Sequence, residues 1–390
     1  MKRRRFIRDT TRGTLGLSGA LLLGCSRTEA PPPRPEASRD VTDDLAQRIP
    51  RLLKEHAVPG LGIALIRDAQ IVWERGFGVA DAEAGTPVDA RTIFEAASMS
   101  KPVFAYAVMK LVERGIIDLD APLTKYLDER PVADRRWDRV TARHILSHRS
   151  GLPNWRSRQE PLAIAFDPGE RWQYSGEGYY YLQSAITRIT GGRVDQASCG
   201  RFENDLKVCA TNIGEFMQTN VLRPFGMSSS YYDRNDALAA HVARPHDEKG
   251  LPRTGPQPSA AAMARYASAG GLSATPSDYA RFLIEVIAPK PADEFRLRPT
   301  TRDEMIRPVI EAPGAAPGPS SWALGWQVLK GDDPVIAHGG NQPGFNAYAA
   351  ASVVHRSGYV MMTNGDNGYA VLSQLFTGDA IGRVVRGWLP

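Results

Sequence analysis

Strand-forming patterns occupy the two ends of this 390-residue chain and helical ones its middle, and no other feature constrains the fold as much. Near the start, residues 62–67 and 71–79 are short apolar, β-branched runs separated by Asp68-Ala69-Gln70, the pattern of a hairpin. Near the end, residues 322–329, 335–338, 346–354 and 359–363 read as strands, followed by a helix over about 369–388. Between them, helical patterns such as 178–190 and 277–287 alternate with Pro/Gly loops, and strand signals are few. A sheet built from both chain ends with a helical region inserted is the consequence, an α/β arrangement of the α+β kind. Residues 41–117 and 291–390 then form the α/β part and 118–290 the helical part, with a site expected in the groove between them. The folded part is expected to begin near Val41, where Thr42-Asp43-Asp44 offers an N-cap and Leu45, Ile49, Leu52 and Leu53 recur at helical spacing. Pro50 should kink that helix. Phe104, Val108, Leu111 and Val112 share a face of a second helix that Gly115 stops.

The net charge of +5 would suggest nucleic acid or an anionic surface as partner, so its location matters. Lys2, Arg3, Arg4, Arg5, Arg8 and Arg12, set against Asp9, account for all of it within residues 1–24, and the remainder is balanced. Nucleic acid is therefore not an expected partner. Those cations precede an uncharged run over 13–24, too short to span a bilayer, which needs about 20 apolar residues. The pattern is that of a signal peptide. Arg3-Arg4-Arg5-Phe6-Ile7 resembles a twin-arginine export motif, with a Sec leader as the alternative, and Leu22-Leu23-Gly24-Cys25 resembles a lipobox that would lipidate Cys25. Residues 26–40 form a Pro-rich linker suited to a tether, which predicts an exported, periplasmic protein anchored to a membrane by lipid. In an oxidising compartment Cys199 and Cys209 are expected to form a disulfide, reduced buried thiols being the alternative.

Ser98 and Lys101 lie three residues apart on one helix face with the serine near the helix start. A serine hydroxyl is a weak nucleophile until a neighbour takes its proton, and a lysine serves when its pKa is lowered. Alone this pair is weak, because Ser and Lys at that spacing are common. Further on, Tyr174-Ser175-Gly176 lies in a loop before a helix, and His338-Gly339-Gly340-Asn341 lies at a strand end.

Taken in order, these motifs resemble the serine β-lactamase and penicillin-binding-protein superfamily, in particular its class C β-lactamase-like branch of esterases, D-alanyl-D-alanine carboxypeptidases and D-aminopeptidases. Residues 140–152, 222–227 and 269–279 extend the likeness over most of the chain after the linker. The resemblance implies a DD-peptidase/β-lactamase-like fold with an antiparallel sheet, and no cofactor or metal. It implies that Ser98 is the nucleophile, Lys101 its proton acceptor and Tyr174 the acid/base. Backbone N–H groups of Ser98 and Asn341 would form the oxyanion hole, and His338, Gly339 and Gly340 would bind substrate. Glycines there would let the substrate backbone approach closely. His338, with an ordinary pKa near 6.5, would lose its charge as pH rises through the working range.

One position departs from the family pattern. Gly176 stands where the second motif commonly has Asn, which leans the expectation toward an ester or an amide lacking an acylamino group. The function expected is a serine hydrolase acting on small esters or amides, with a D-amino-acid peptidase or β-lactamase as alternative and a silent peptidoglycan-binding module as a second. Other candidates carry plainer readings. His144 and His148 lack the HExxH arrangement of a metal helix and read as packing. Trp155 and Trp172 read first as packing, Glu177 as a helix N-terminal charge, and Tyr179, Tyr180 and Tyr181 as partly core.

Overall fold

The apolar runs at the two chain ends pair with each other. A computed structural model describes residues 36–387 apart from 128–129, 157–160, 192–193, 203–205, 212, 234, 256–263, 316–317 and 332, with backbone alone for 36–39, 194–202, 206–211 and 379. Its strands are β1 (Gly60–Arg67), β2 (Gln70–Asp81), β3 (Thr86–Pro87), β4 (Phe94–Glu95), β5 (Val194–Phe202), β6 (Leu206–Thr211) and β7 (Ser273–Ala274). Then come β8 (Ile310–Glu311), β9 (Ser320–Trp322), β10 (Gln327–Leu329), β11 (Val335–Gln342), β12 (Phe345–Ser352) and β13 (Ser357–Thr363). One sheet runs in the order β3-β2-β1-β13-β12-β11-β10-β9-β8, antiparallel throughout. Its two halves meet at β1 and β13, with Leu61 opposite Thr363 and Leu65 opposite Tyr359. The β1–β2 hairpin turns on Asp68 and Ala69, both left-handed at φ 51° and 56°, the geometry whose twist matches the flanking strands.

Both sheet faces are covered, and β1 shows how. Its side chains alternate between layers, Ala64 and Ile66 facing the larger core and Leu61, Ile63 and Leu65 the smaller. The smaller core is closed by the helix α1 (Glu36–Glu55) through Val41, Leu45, Ile49, Leu52 and Leu53, and by the helices Gly368–Phe376 and Asp379–Val385. On the other face lies α2 (Ser100–Glu113), buried continuously from Ser100 to Leu111 and stopped by Gly115 at φ +67°. It is apolar nearly all round, as a helix inside a core must be, where the sequence suggested one apolar face.

Several boundaries differ from expectation. The first helix begins at Glu36, ahead of Val41, and carries Pro50 inside it. Residues 322–329 divide between β9 and β10 because Gly325, at φ +87°, turns the chain where a Cβ would lie 2.6 Å from that of Ala105. The terminal helix is two, interrupted at Thr377 and Gly378. The helical middle also contains the hairpin β5–β6, and β7 pairs with β4. Cys199 and Cys209 lie in that hairpin, but their side chains, like Cys25 and the rest of the leader, lie outside the described residues. Among the described residues no helix is long and apolar enough to cross a membrane.

Candidate active site

Strand β4 delivers the chain to the turn that sets Ser98. Ala97 takes a left-handed φ of 47°, a conformation that costs a residue with a Cβ about 1 kcal/mol or more. Buried Ser100 holds the turn: its hydroxyl donates to the Ala97 carbonyl (2.6 Å) and accepts from the Leu272 N–H (2.9 Å). The Tyr279 phenol donates to the Met99 carbonyl (3.0 Å). Residues 97–99 thus form a short 3-10 turn running into α2, with Ser98 partly exposed and Met99, Ser100 and Lys101 inside.

Lys101 lies one helical turn beyond Ser98. Its Nζ donates to Ser98 Oγ (3.1 Å) and to the Ala269 carbonyl (2.7 Å), and it lies over the rings of Tyr174 (4.8 Å) and Tyr179 (5.5 Å). These partners are polar or polarisable but none is an anion. Full burial therefore drives the ammonium pKa from 10.5 down to about 7.

The Tyr174 wall comes from the loop before α4 (Gly176–Ile189). Ser175 caps this helix, its hydroxyl accepting from the Gly178 N–H (3.0 Å). Burial holds the Tyr174 phenol above its ordinary value of 10 and so protonated at neutral pH, an effect the neighbouring Ser98 side chain opposes only in part. Beside Tyr174 lies His148. His144 and His148 do not share a helix: the helix α3 (Ala142–Leu146) ends before His148, whose φ of 54° turns it toward the site. His148 Nδ1 accepts the Ser175 N–H (3.1 Å), and its ring lies on Tyr174 with centroids 4.2 Å apart. Trp322 closes the far side, edge-on to Tyr174 at 5.7 Å and to His338 at 5.5 Å.

Strand β11 forms the third wall. A Cβ on Gly340 would lie 2.3 Å from the Ala96 carbonyl oxygen, so glycine is what lets β11 pack against the Ser98 turn. The close approach at Gly340 is to the chain's own backbone, whereas Gly339 meets nothing nearer than Tyr348 at 3.4 Å. The exposed Asn341 follows Gly340 on this strand, its amide donating to Asn346 Oδ1 (2.6 Å). Gln342 donates to Glu95, whose carboxyl is raised by burial. His338 corrects the expectation of a cation that titrates near neutrality. Burial first, then the charge of Lys101, lowers its pKa from 6.5 to about 3, and the Gly339 carbonyl offsets this only in part. The ring is neutral at working pH.

The remaining candidates also find places. Ser98, Lys101 and Tyr174 meet at one centre, His338 stands beside Tyr174, and Gly340 packs on the turn before Ser98 with Gly339 and Asn341 flanking it on β11. Tyr179, Tyr180 and Tyr181 are all buried. Glu177 is the buried partner of Arg156, gripping its guanidinium through two bonds of 2.9 and 2.6 Å, while Ser175 supplies the cap. Trp172 packs on Trp322, but Trp155 is 47% exposed and its indole lies against Gly176. Sequence reasoning missed the roles of His148, Trp155, Trp322 and the Ala269 carbonyl. Only Trp155 left a signal: a missing side chain at 176 in a packed loop must be replaced by another group.

The Beta-lactamase family model matches residues 45–379. The chain is similar to Esterase EstB of Burkholderia gladioli, 34% identical over 169 residues, or 36% of this chain and 43% of that one. Alignments to the first curated relatives span less than two thirds of those proteins' length. Among solved structures, the octameric penicillin-binding protein homologue from Pyrococcus abyssi superposes with a TM-score of 0.70 at 23% identity, covering 86% of this chain and 77% of that one. D-alanine carboxypeptidase AmpC from Burkholderia cenocepacia gives 0.68 at 19% identity, covering 86% and 99%. With the fold matched by structure and 45–379 matched by sequence, the chain belongs to the beta-lactamase family of serine hydrolases.

Proposed function

We propose that the protein hydrolyses small esters or amides through an acyl-enzyme on Ser98. The observation that carries this is the contact between Lys101 and Ser98 (3.1 Å), made by an amine whose pKa burial lowers to about 7. A lysine that is half neutral near pH 7 can take the serine proton, which one at 10.5 could not. As Ser98 Oγ attacks the carbonyl carbon, its proton passes to Lys101 and the carbonyl oxygen becomes an oxyanion. The N–H groups of Ser98 and Asn341 bind that oxyanion. Tyr174, protonated, donates to the leaving oxygen as its bond to carbon breaks, and is reprotonated from the Lys101 ammonium. Water then attacks the acyl carbon, its proton following the same route in reverse, and Ser98 is released. His338, neutral, braces the Tyr174 side of the site.

Gly176 favours a carboxylesterase-like activity over peptidase or β-lactamase activity, because the amide that would bind an acylamino group is absent. A silent binding module would have no use for a lysine poised in this way. The leader and linker extend the proposal to an exported protein tethered through Cys25. Ser98→Ala should abolish both turnover and labelling by a fluorophosphonate probe, and labelling that persists in this variant would remove Ser98 as nucleophile. Short-chain p-nitrophenyl esters, nitrocefin and D-Ala-D-Ala peptides assayed side by side then rank the activities.

A further inference from the structure

The position two residues after Tyr174 has no side chain, and its space is filled from another part of the chain. A Cβ on Gly176 would lie 2.6 Å from Cη2 and 2.7 Å from Cζ3 of Trp155, so the six-membered ring of the indole sits directly on the Gly176 backbone. The placement is fixed by backbone bonds: the Gly176 and Glu177 N–H groups both donate to the Asn154 carbonyl, at 2.9 and 3.0 Å. On its other side Trp155 meets Tyr266 edge to face, with centroids 5.1 Å apart. Tyr266 leads into the turn Ala267–Gly270, whose Ala269 carbonyl holds Lys101. The indole therefore reaches from the wall that carries Tyr174 to the one that holds Lys101, and 47% of it remains exposed. A large aromatic surface left open between the segments that carry Tyr174 and hold Lys101 is surface that an apolar ligand group can cover favourably.

We propose that Trp155, backed by Tyr266, is the acyl-group subsite of the Ser98 centre and selects esters whose acyl group carries an aromatic ring over those with an acylamino group. This rests on the serine-hydrolase reading above. An acylamino group landing on the indole face gives up bonds to water that an aromatic face does not replace in full. An aromatic acyl group stacks there, and aromatic pairing beyond simple area burial is worth about 2- to 12-fold in binding.

The test is the ratio of kcat/KM for p-nitrophenyl phenylacetate to that for p-nitrophenyl acetate, in which the shared leaving group cancels. Trp155→Ala should lower the ratio about 2- to 12-fold, and Trp155→Phe should keep most of it. Gly176→Ala provides an independent arm, since its methyl group must displace the indole; the ratio should fall there too, even if Trp155→Ala does not fold. A ratio unmoved in the folded variants, with wild type active on acetate, overturns the subsite and leaves the serine-hydrolase reading intact. A wild-type protein that hydrolyses neither ester, with Ser98 unlabelled by fluorophosphonate, removes both.

Discussion

The buried amine at Lys101 makes a prediction that separates it from every other titrating group in the site. Lowering a lysine from 10.5 to about 7 corresponds to roughly 5 kcal/mol of disfavoured charge, supplied here by burial. In the proposed mechanism the neutral amine is the active form, so kcat/KM should rise with pH, about tenfold from pH 6 to a plateau above pH 8, with its midpoint near 7. Four titratable side chains press on Lys101. His148 and His338 are both pushed well below 6.5, and Tyr174 and Tyr179 are both raised above 10, so none of them crosses this window. The perturbation is His338→Gln, which exchanges one neutral side chain for another and should leave the midpoint within about 0.5 unit of wild type. His338→Lys instead sets a second cation beside Lys101 and should lower the midpoint by about one unit. Initial rates on p-nitrophenyl acetate between pH 5 and 9, read at the isosbestic wavelength of p-nitrophenol, give the profile. If His338→Gln abolishes the rise or moves it by a full unit, the titration belongs to the histidine and the assignment of a neutral His338 fails. A midpoint near 10 would show that burial does not depress Lys101.

Other expected outcomes follow from the same geometry. Glu177→Ala leaves the Arg156 guanidinium, 5% exposed, without its carboxylate and should lower stability by about 3–5 kcal/mol in urea unfolding; Arg156→Met with Glu177→Leu should recover most of the loss. Gly340→Ala forces β11 away from Ala96 and should cost about 1–3 kcal/mol of stability and at least ~10-fold in kcat/KM, while Gly339→Ala, with its nearest neighbour at 3.4 Å, should do little to stability. Membrane fractionation with a lipid label should find the protein in the membrane when Cys25 is intact and released in Cys25→Ser; equal membrane retention with no label on wild type would remove the anchor.

What was legible in the sequence follows from how far each signal reaches along the chain. Ser98 and Lys101 meet through helix geometry alone, three residues apart, and the Gly115 stop is equally local. The union of both chain ends in one sheet was legible because short apolar, β-branched runs announce strands, and strands must pair. The Trp155 contact was not, since it joins residues twenty-one apart through a loop with no periodicity. The collapse of the His338 pKa was hidden for a different reason: it depends on burial and on Lys101, which only the assembled site supplies. Gly325 misled because a single turn inside an apolar run leaves the run looking continuous.

The junction of β1 with β13 also dictates an order of assembly. During synthesis β1 has β2 for a partner on one side, but the backbone groups of its other edge stay bare until residues 357–363 emerge, on a strand whose faces carry Leu61, Ile63, Leu65 and Ile66. About three hundred residues must be made before that edge is sealed, and an apolar edge left open invites pairing with another chain. Contacts so distant in sequence form slowly. The nucleophile turn waits as well, for Gly340 of β11 is what closes it. A ribosome-bound fragment ending before β11 would carry Ser98 and Lys101 with neither a finished sheet nor the β11 wall, so the centre around Ser98 is completed at once, with the C-terminal strands.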